Sequence, residues 1–74
     1  MNRENSRNKE QMLNIPIGTP VEIIFVPAPV KNITLGATGA IASQPKRIGM
    51  ITHVYVQLDD GRLIGWELDY LEII

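Results

Sequence analysis

Apolar residues come in short bursts broken by glycine and proline, and the bursts alternate with period two rather than with a helical period. Val21-Glu22-Ile23-Ile24-Phe25-Val26 is dense in β-branched and aromatic residues, which predicts a first strand. Its apolar residues fall on both faces, so the expected strand is covered on both sides or bends across a small barrel. Pro27-Ala28-Pro29 ends it, because proline cannot donate to a ladder. Ala37-Thr38-Gly39-Ala40-Ile41-Ala42-Ser43 reads as a second strand of small residues, and Gly36 and Gly39 fit a tight bend where backbones approach closely. Gln44-Pro45-Lys46-Arg47 reads as a loop. The longest strand is expected over Gly49-Met50-Ile51-Thr52-His53-Val54-Tyr55-Val56-Gln57-Leu58. After a tight turn at Asp69-Tyr70, Leu71-Glu72-Ile73-Ile74 returns as a short last strand.

Asp59-Asp60-Gly61 signals a hairpin, and the side-chain pattern selects its register. A two-residue turn at Asp60-Gly61 would set Glu67 opposite Val54, on the face that carries Val56 and Leu58. A type I turn with Gly61 left-handed in a bulge instead pairs Val54 with Trp66 and Val56 with Ile64. Only the second gathers Val54, Val56, Ile64, Trp66 and Leu68, and a one-residue slip would reverse that. The other face then carries His53 beside Glu67, Tyr55 beside Gly65 and Gln57 beside Leu63. The Tyr55 ring is expected to cover the bare glycine backbone.

Residues 1–12 are polar and lack hydrophobic periodicity, so they bury too little to offset the entropy of ordering and are expected to form a disordered tail. Met12-Leu13-Asn14-Ile15-Pro16-Ile17 brings the first apolar residues, and the folded domain is expected over residues 13–74. A chain of 74 residues supports one modest core. It has no cysteine and a single histidine, so neither a disulfide nor a thiolate metal site can staple it. An aliphatic core, an oligomer interface or a partner must supply the stability. No apolar stretch approaches the ~20 residues that cross a bilayer, and the N-terminal residues have no hydrophobic region of a secretory signal. A soluble cytoplasmic protein is expected, with no membrane partner.

The net charge of −1 opposes strong nonspecific nucleic-acid binding. Its distribution is uneven. Lys31, Lys46 and Arg47 lie in a stretch with no acid between Glu22 and Asp59, whereas Asp59, Asp60, Glu67, Asp69 and Glu72 crowd the end against Arg62 alone.

Five short strands separated by glycine and proline turns predict an all-β fold, a small five-stranded antiparallel barrel. Gly18-Thr19-Pro20-Val21-Glu22-Ile23, Gly36-Ala37-Thr38-Gly39-Ala40-Ile41 and Trp66-Glu67-Leu68-Asp69-Tyr70-Leu71-Glu72-Ile73 together resemble the SH3-like barrels over roughly residues 18–74. Within these, the opening "G-x-x-V" strand and the closing acidic "L-E-hydrophobic" strand look like the accessory-subunit barrels. Examples of that kind are photosystem I subunit IV and the variable chain of ferredoxin–thioredoxin reductase. The glycine segment is similar to the KOW motif of ribosomal and transcription proteins.

Chemistry is sparse. A nucleophile or base needs a third group or a metal to hold it, and the lone His53 has no Ser or Asp spaced for a triad. Asp59-Asp60-Gly61 lacks the later ligands of a calcium loop, and Gly36-Ala37-Thr38-Gly39 lacks the Gly-Lys-Ser/Thr ending of a phosphate loop. Trp66 is expected in the core. The chain is therefore expected to be a noncatalytic interaction module without a cofactor, docking as an accessory subunit or small regulator on a larger protein. The resemblance to SH3-like barrels implies that the long first loop, the loop before the third strand and the turn before the last strand lie near one another. That would gather Lys31 and Ile33 (with Pro27 and Pro29), then Lys46 and Arg47, then Tyr70, as a basic rim around apolar residues suited to an acidic partner. Tyr55 joins the set because tyrosine offers rigid contact area with a polar tip. The KOW likeness implies the alternative, nucleic-acid binding through Lys31, Lys46, Arg47 and Tyr55.

Overall fold

The computed structural model describes residues 14–74; the tail expected over residues 1–12 lies outside them. Among these described residues lie six strands and one 3-10 turn: β1 (Pro20–Ile23), β2 (Thr38–Ile41), β3 (Lys46–Ile48), β4 (Ile51–Leu58), β5 (Leu63–Glu67), the turn (Leu68–Tyr70) and β6 (Leu71–Ile73). Every pairing is antiparallel, and the sheet curls into a half-barrel. β6 pairs β1, β1 pairs β2 and β2 pairs β4, while β5 takes the other edge of β4.

The hairpin of β4 and β5 has the bulged register that its apolar pattern demands. Val54 faces Trp66, Val56 faces Ile64, and His53, Tyr55 and Gln57 face Glu67, Gly65 and Leu63. Gly61 takes φ 98° and donates to the Leu58 carbonyl at 2.9 Å, while the Leu58 N–H donates to the Arg62 carbonyl at 2.7 Å. A left-handed glycine closing a type I turn adds the one residue that keeps Val54, Val56 and Trp66 on the inner side. Those three are buried together with Leu58, Leu68 and Leu71, and Trp66 is only 6% exposed.

Gly39 is where two backbones meet most closely. A Cβ placed there would come within 2.9 Å of the Leu58 Cα and closer still to the Gln57 carbonyl, so only a residue without a side chain lets β2 lie against β4 at this point.

Four expectations change. The first strand stops at Ile23 rather than Val26. Ile23 exchanges bonds with Gly36 and Ala37, and Ile24 then donates to the Tyr70 carbonyl at 3.0 Å, which turns the chain away from β2. Ile24 and Phe25 are consequently exposed instead of covered on both faces. The second strand is likewise trimmed to Thr38–Ile41. Gly49 and Met50 form a turn, not the start of a strand. Finally, Lys46 and Arg47 lie in a sixth strand rather than in a loop, because the Gly49-Met50 turn folds them back on Ile51, Thr52 and His53. Ile15, ahead of the first strand, is a core residue at 2% exposure.

β2 and β3 share one edge of β4 but not one register. Ile41 faces Val56 and Lys46 faces His53, so residues 42–45 span the distance that Val54 and Tyr55 span on β4. Two extra residues bulge out. The Ser43 hydroxyl fills the gap, accepting from the Tyr55 N–H at 2.9 Å, while the Ala42 N–H donates to the Tyr55 carbonyl at 2.8 Å.

Candidate docking surface

The outer face of the sheet is built in rows across β3, β4 and β5, because antiparallel partners share a face and alternate residues reverse it. From the free end of the β3–β4 hairpin, the rows run Ile48–Ile51, then Lys46–His53–Glu67, then Tyr55–Gly65, then Gln57–Leu63. Met50 caps the first row at the turn and is 92% exposed. Ile48, Tyr55 and Leu63 are each more than half exposed. Twelve large hydrophobic side chains are exposed among the described residues against ten apolar side chains buried in the core, and five of the twelve lie on this strip. Scattered single exposures are ordinary, but grouped ones mark an interaction surface; here Ile48, Met50 and Ile51 group at the hairpin, and Tyr55 and Leu63 group beyond the Lys46–His53–Glu67 row.

Its polar members are few. Lys46 sits across from His53, which sits across from Glu67. His53 is half-buried, and its shielded Nδ1 has no hydrogen-bond partner. Arg47 is exposed and curls its Nε onto the Gly49 carbonyl at 3.2 Å, bracing the hairpin turn. The Tyr55 ring lies over Gly65, 3.7 Å from where a Cβ would stand, as the register predicts. Glycine there lets a broad ring lie flat on the sheet and remain exposed.

The six residues singled out from sequence lie on the β3–β4 hairpin, in the long loop and at the 3-10 turn before β6, and the last two are in contact through Phe25 and Tyr70. Lys46 and Tyr55 share the outer face, and Arg47 neighbours them on the hairpin. Lys31 is exposed in the long loop 24–37, which the structure ties to the acidic hairpin tip. Arg62 donates to the Asn32 carbonyl at 2.5 Å while paired with Asp60 at 2.7 Å. The two hydrogen bonds that Arg62 gives Asp60, one from its side chain and one from its N–H, hold the Asp60 carboxyl below the ordinary 3.8. The Thr38 hydroxyl bonds Asp59, tying the same tip to β2. Ile33, expected on an exposed rim, is half-buried and packs against the core. Tyr70 is half-buried, its ring 4.6 Å from Phe25 at 53°. Its phenol is pushed above the ordinary value, first by desolvation and then by the Glu67 carboxylate.

Sequence reasoning placed Leu63 on the outer face beside Gln57, as the structure has it, but missed Ile48, Met50 and Ile51 as surface residues. Apolar side chains read as core unless a turn is known to carry them past it.

No group of three or more His, Cys, Asp or Glu side chains able to hold a metal occurs among the described residues, and no helix there is long and apolar enough to cross a membrane. In comparisons with known proteins, the chain matches no family model, no curated protein and no solved structure.

Proposed function

We propose that this chain is a noncatalytic docking module, built on an SH3-like barrel, that binds a larger protein through the outer face of β3, β4 and β5. The observation that carries the reading is that Ile48, Met50 and Ile51 on one side of the Lys46–His53–Glu67 row, and Tyr55 and Leu63 on the other, are all exposed along the outer side of the sheet. Aromatic and aliphatic anchors supply most of the energy of protein interfaces, and charges at their rim tune rate and specificity. Lys46 and Arg47 are those rim charges, and they favour an acidic partner. The strand order β6-β1-β2-β4-β5, with one 3-10 turn before the last strand, supports the barrel type. The single imidazole lies between a lysine and a glutamate rather than beside a nucleophile, which supports a noncatalytic role.

Nucleic-acid binding has weaker support. Glu67 shares a row with Lys46, and Lys31 belongs to the loop that Arg62 ties to Asp60, so the cations do not form one uninterrupted stripe. The reading is tested by placing a photo-cross-linking phenylalanine analogue at position 55 or at position 59 in cells of origin. Discrete protein adducts at 55 and few at 59 are expected. Adducts at 59 alone, or nucleic acid captured at 55, would overturn it.

A further inference from the structure

The β3–β4 hairpin and the β1–β6 edge lie at opposite ends of the sheet's pairing order, and they are chemically complementary. The hairpin presents Ile48, Met50 and Ile51 beside Lys46 and Arg47. The other end presents the reverse charge. Glu22 on β1 stands directly opposite Glu72 on β6, so two carboxylates face each other across adjacent strands on the outer face. Like charges in that position destabilise a sheet. Among the described residues no ion pair joins either carboxylate to a cation, and Arg62 is held by Asp60 and Asn32. Ile24 and Ile74, the next positions on that face, are 44% and 56% exposed. A cationic apolar hairpin and an anionic apolar sheet edge therefore occur once each per chain.

We propose that the β3–β4 hairpin of one copy docks on the β1–β6 outer face of a second copy of this chain. The proposal rests on the reading of the hairpin as a docking surface and gives that surface a second occupant, a copy of the chain itself. Lys46 approaches Glu22 and Glu72, relieving the repulsion between the two carboxylates, with Arg47 on the hairpin's other face adding to the positive field, while Met50 and Ile48 cover one of the isoleucines that flank the pair. Because the two patches differ, the contact is heterologous. It closes into a ring or a two-contact dimer when the rotation between copies allows, and extends otherwise.

A charge swap tests it. The full chain is followed by analytical ultracentrifugation over a wide concentration range, at low and high salt. It is compared with Lys46→Glu/Arg47→Glu, with Glu22→Lys/Glu72→Lys, and with an equimolar mixture of the two. The wild type should associate with rising concentration and less at high salt, because exposed charges are screened. Each double variant alone should lose roughly tenfold or more in self-affinity, and the mixture should recover it, since each reversed patch then meets its complement. Should a double variant fail to show a native circular dichroism spectrum, Met50→Ser, which changes no charge, replaces it and should weaken association several-fold. A monomeric wild type at every concentration, or a mixture that recovers nothing, overturns the proposal. Cross-linking at position 55 to a different protein, with the chain itself monomeric, removes the second copy and leaves the docking module standing. Self-association with no other protein captured does the opposite.

Discussion

One strand passes through two regimes. From Val54 to Leu58, β4 buries every second side chain, with β2 beside Val56 to Leu58 on one edge and β5 beside Val54 to Gln57 on the other. From Ile51 to His53 it buries none, and its partner there, β3, is exposed at all three positions. Residue type does not explain the difference alone: Ile51 is as apolar as Val54 but falls on the outer face with Tyr55 and Gln57, and the one inner-face position at this end, Thr52, is only half-buried. What differs is cover. The curl of the sheet brings Ile15, Leu68 and Leu71 into the core with Val54, Val56 and Leu58, while no buried residue lies at the hairpin. Burial is assigned by topology, and hydrophobic side chains left outside it are free to serve as contacts.

The largest effect expected on this contrast is at Trp66, opposite Val54. Trp66→Ala should cost about 3–5 kcal/mol, the range for emptying an aromatic core site, and urea denaturation followed by circular dichroism measures it. Since small domains hold only about 5 kcal/mol or a little more, the variant should keep only about 0–2 kcal/mol and be measurably, though not fully, unfolded at room temperature. A loss below about 1 kcal/mol would mean that the covered half of β4 is not where the stability resides.

An intermediate, local effect concerns the strap between the hairpin tip and the long loop. The Asp60 carboxyl has a lowered folded value, so its contribution is present above the ordinary 3.8 and is lost as pH falls through that lowered value. Amide protection near Asn32, taken relative to intrinsic exchange at each pH, should fall only in that acid range, with the core amides unchanged. In Arg62→Gln that protection should be low at every pH. Protection that stays constant into acid would show that Arg62 does not hold the loop.

Smallest is Met50→Ser at the uncovered end. It should shift stability by no more than about 0.5 kcal/mol, as expected for a surface position, even though it removes a large apolar side chain. A shift comparable to that of Trp66→Ala would erase the distinction between the two halves of β4.

The same contrast accounts for what could be read from the residues. The β4–β5 register was legible because Val54, Val56, Trp66 and Leu68 bury on one side and so print a period of two on the sequence. β3 was not, because Lys46, Arg47 and Ile48 have no buried side to create a period. Ile15 escaped for a related reason: it enters the core singly, before Pro16, with no repeat around it. Of the docking surface, Lys46, Arg47 and Tyr55 were legible from charge and side-chain type. Ile48, Met50 and Ile51 were hidden by the rule that apolar residues go inside, a rule that holds only where the fold provides an inside. Ile33 was misplaced to the rim because position in a loop does not reveal which of its residues turns inward.

The bulge at residues 42–45 sets an arithmetic on how this region can change length. Two extra residues carry the chain past Tyr55 and return it to β4 in phase, with Lys46 across from His53. A single insertion or deletion there would turn β3 over, sending Arg47 to the face of His53 and Tyr55 and Lys46 to the opposite one. In an evolving lineage, length changes in this segment should therefore come in pairs, while the Asp59-Asp60-Gly61 turn keeps its length. The Ser43 hydroxyl, which caps the Tyr55 N–H, marks the point from which those pairs are counted.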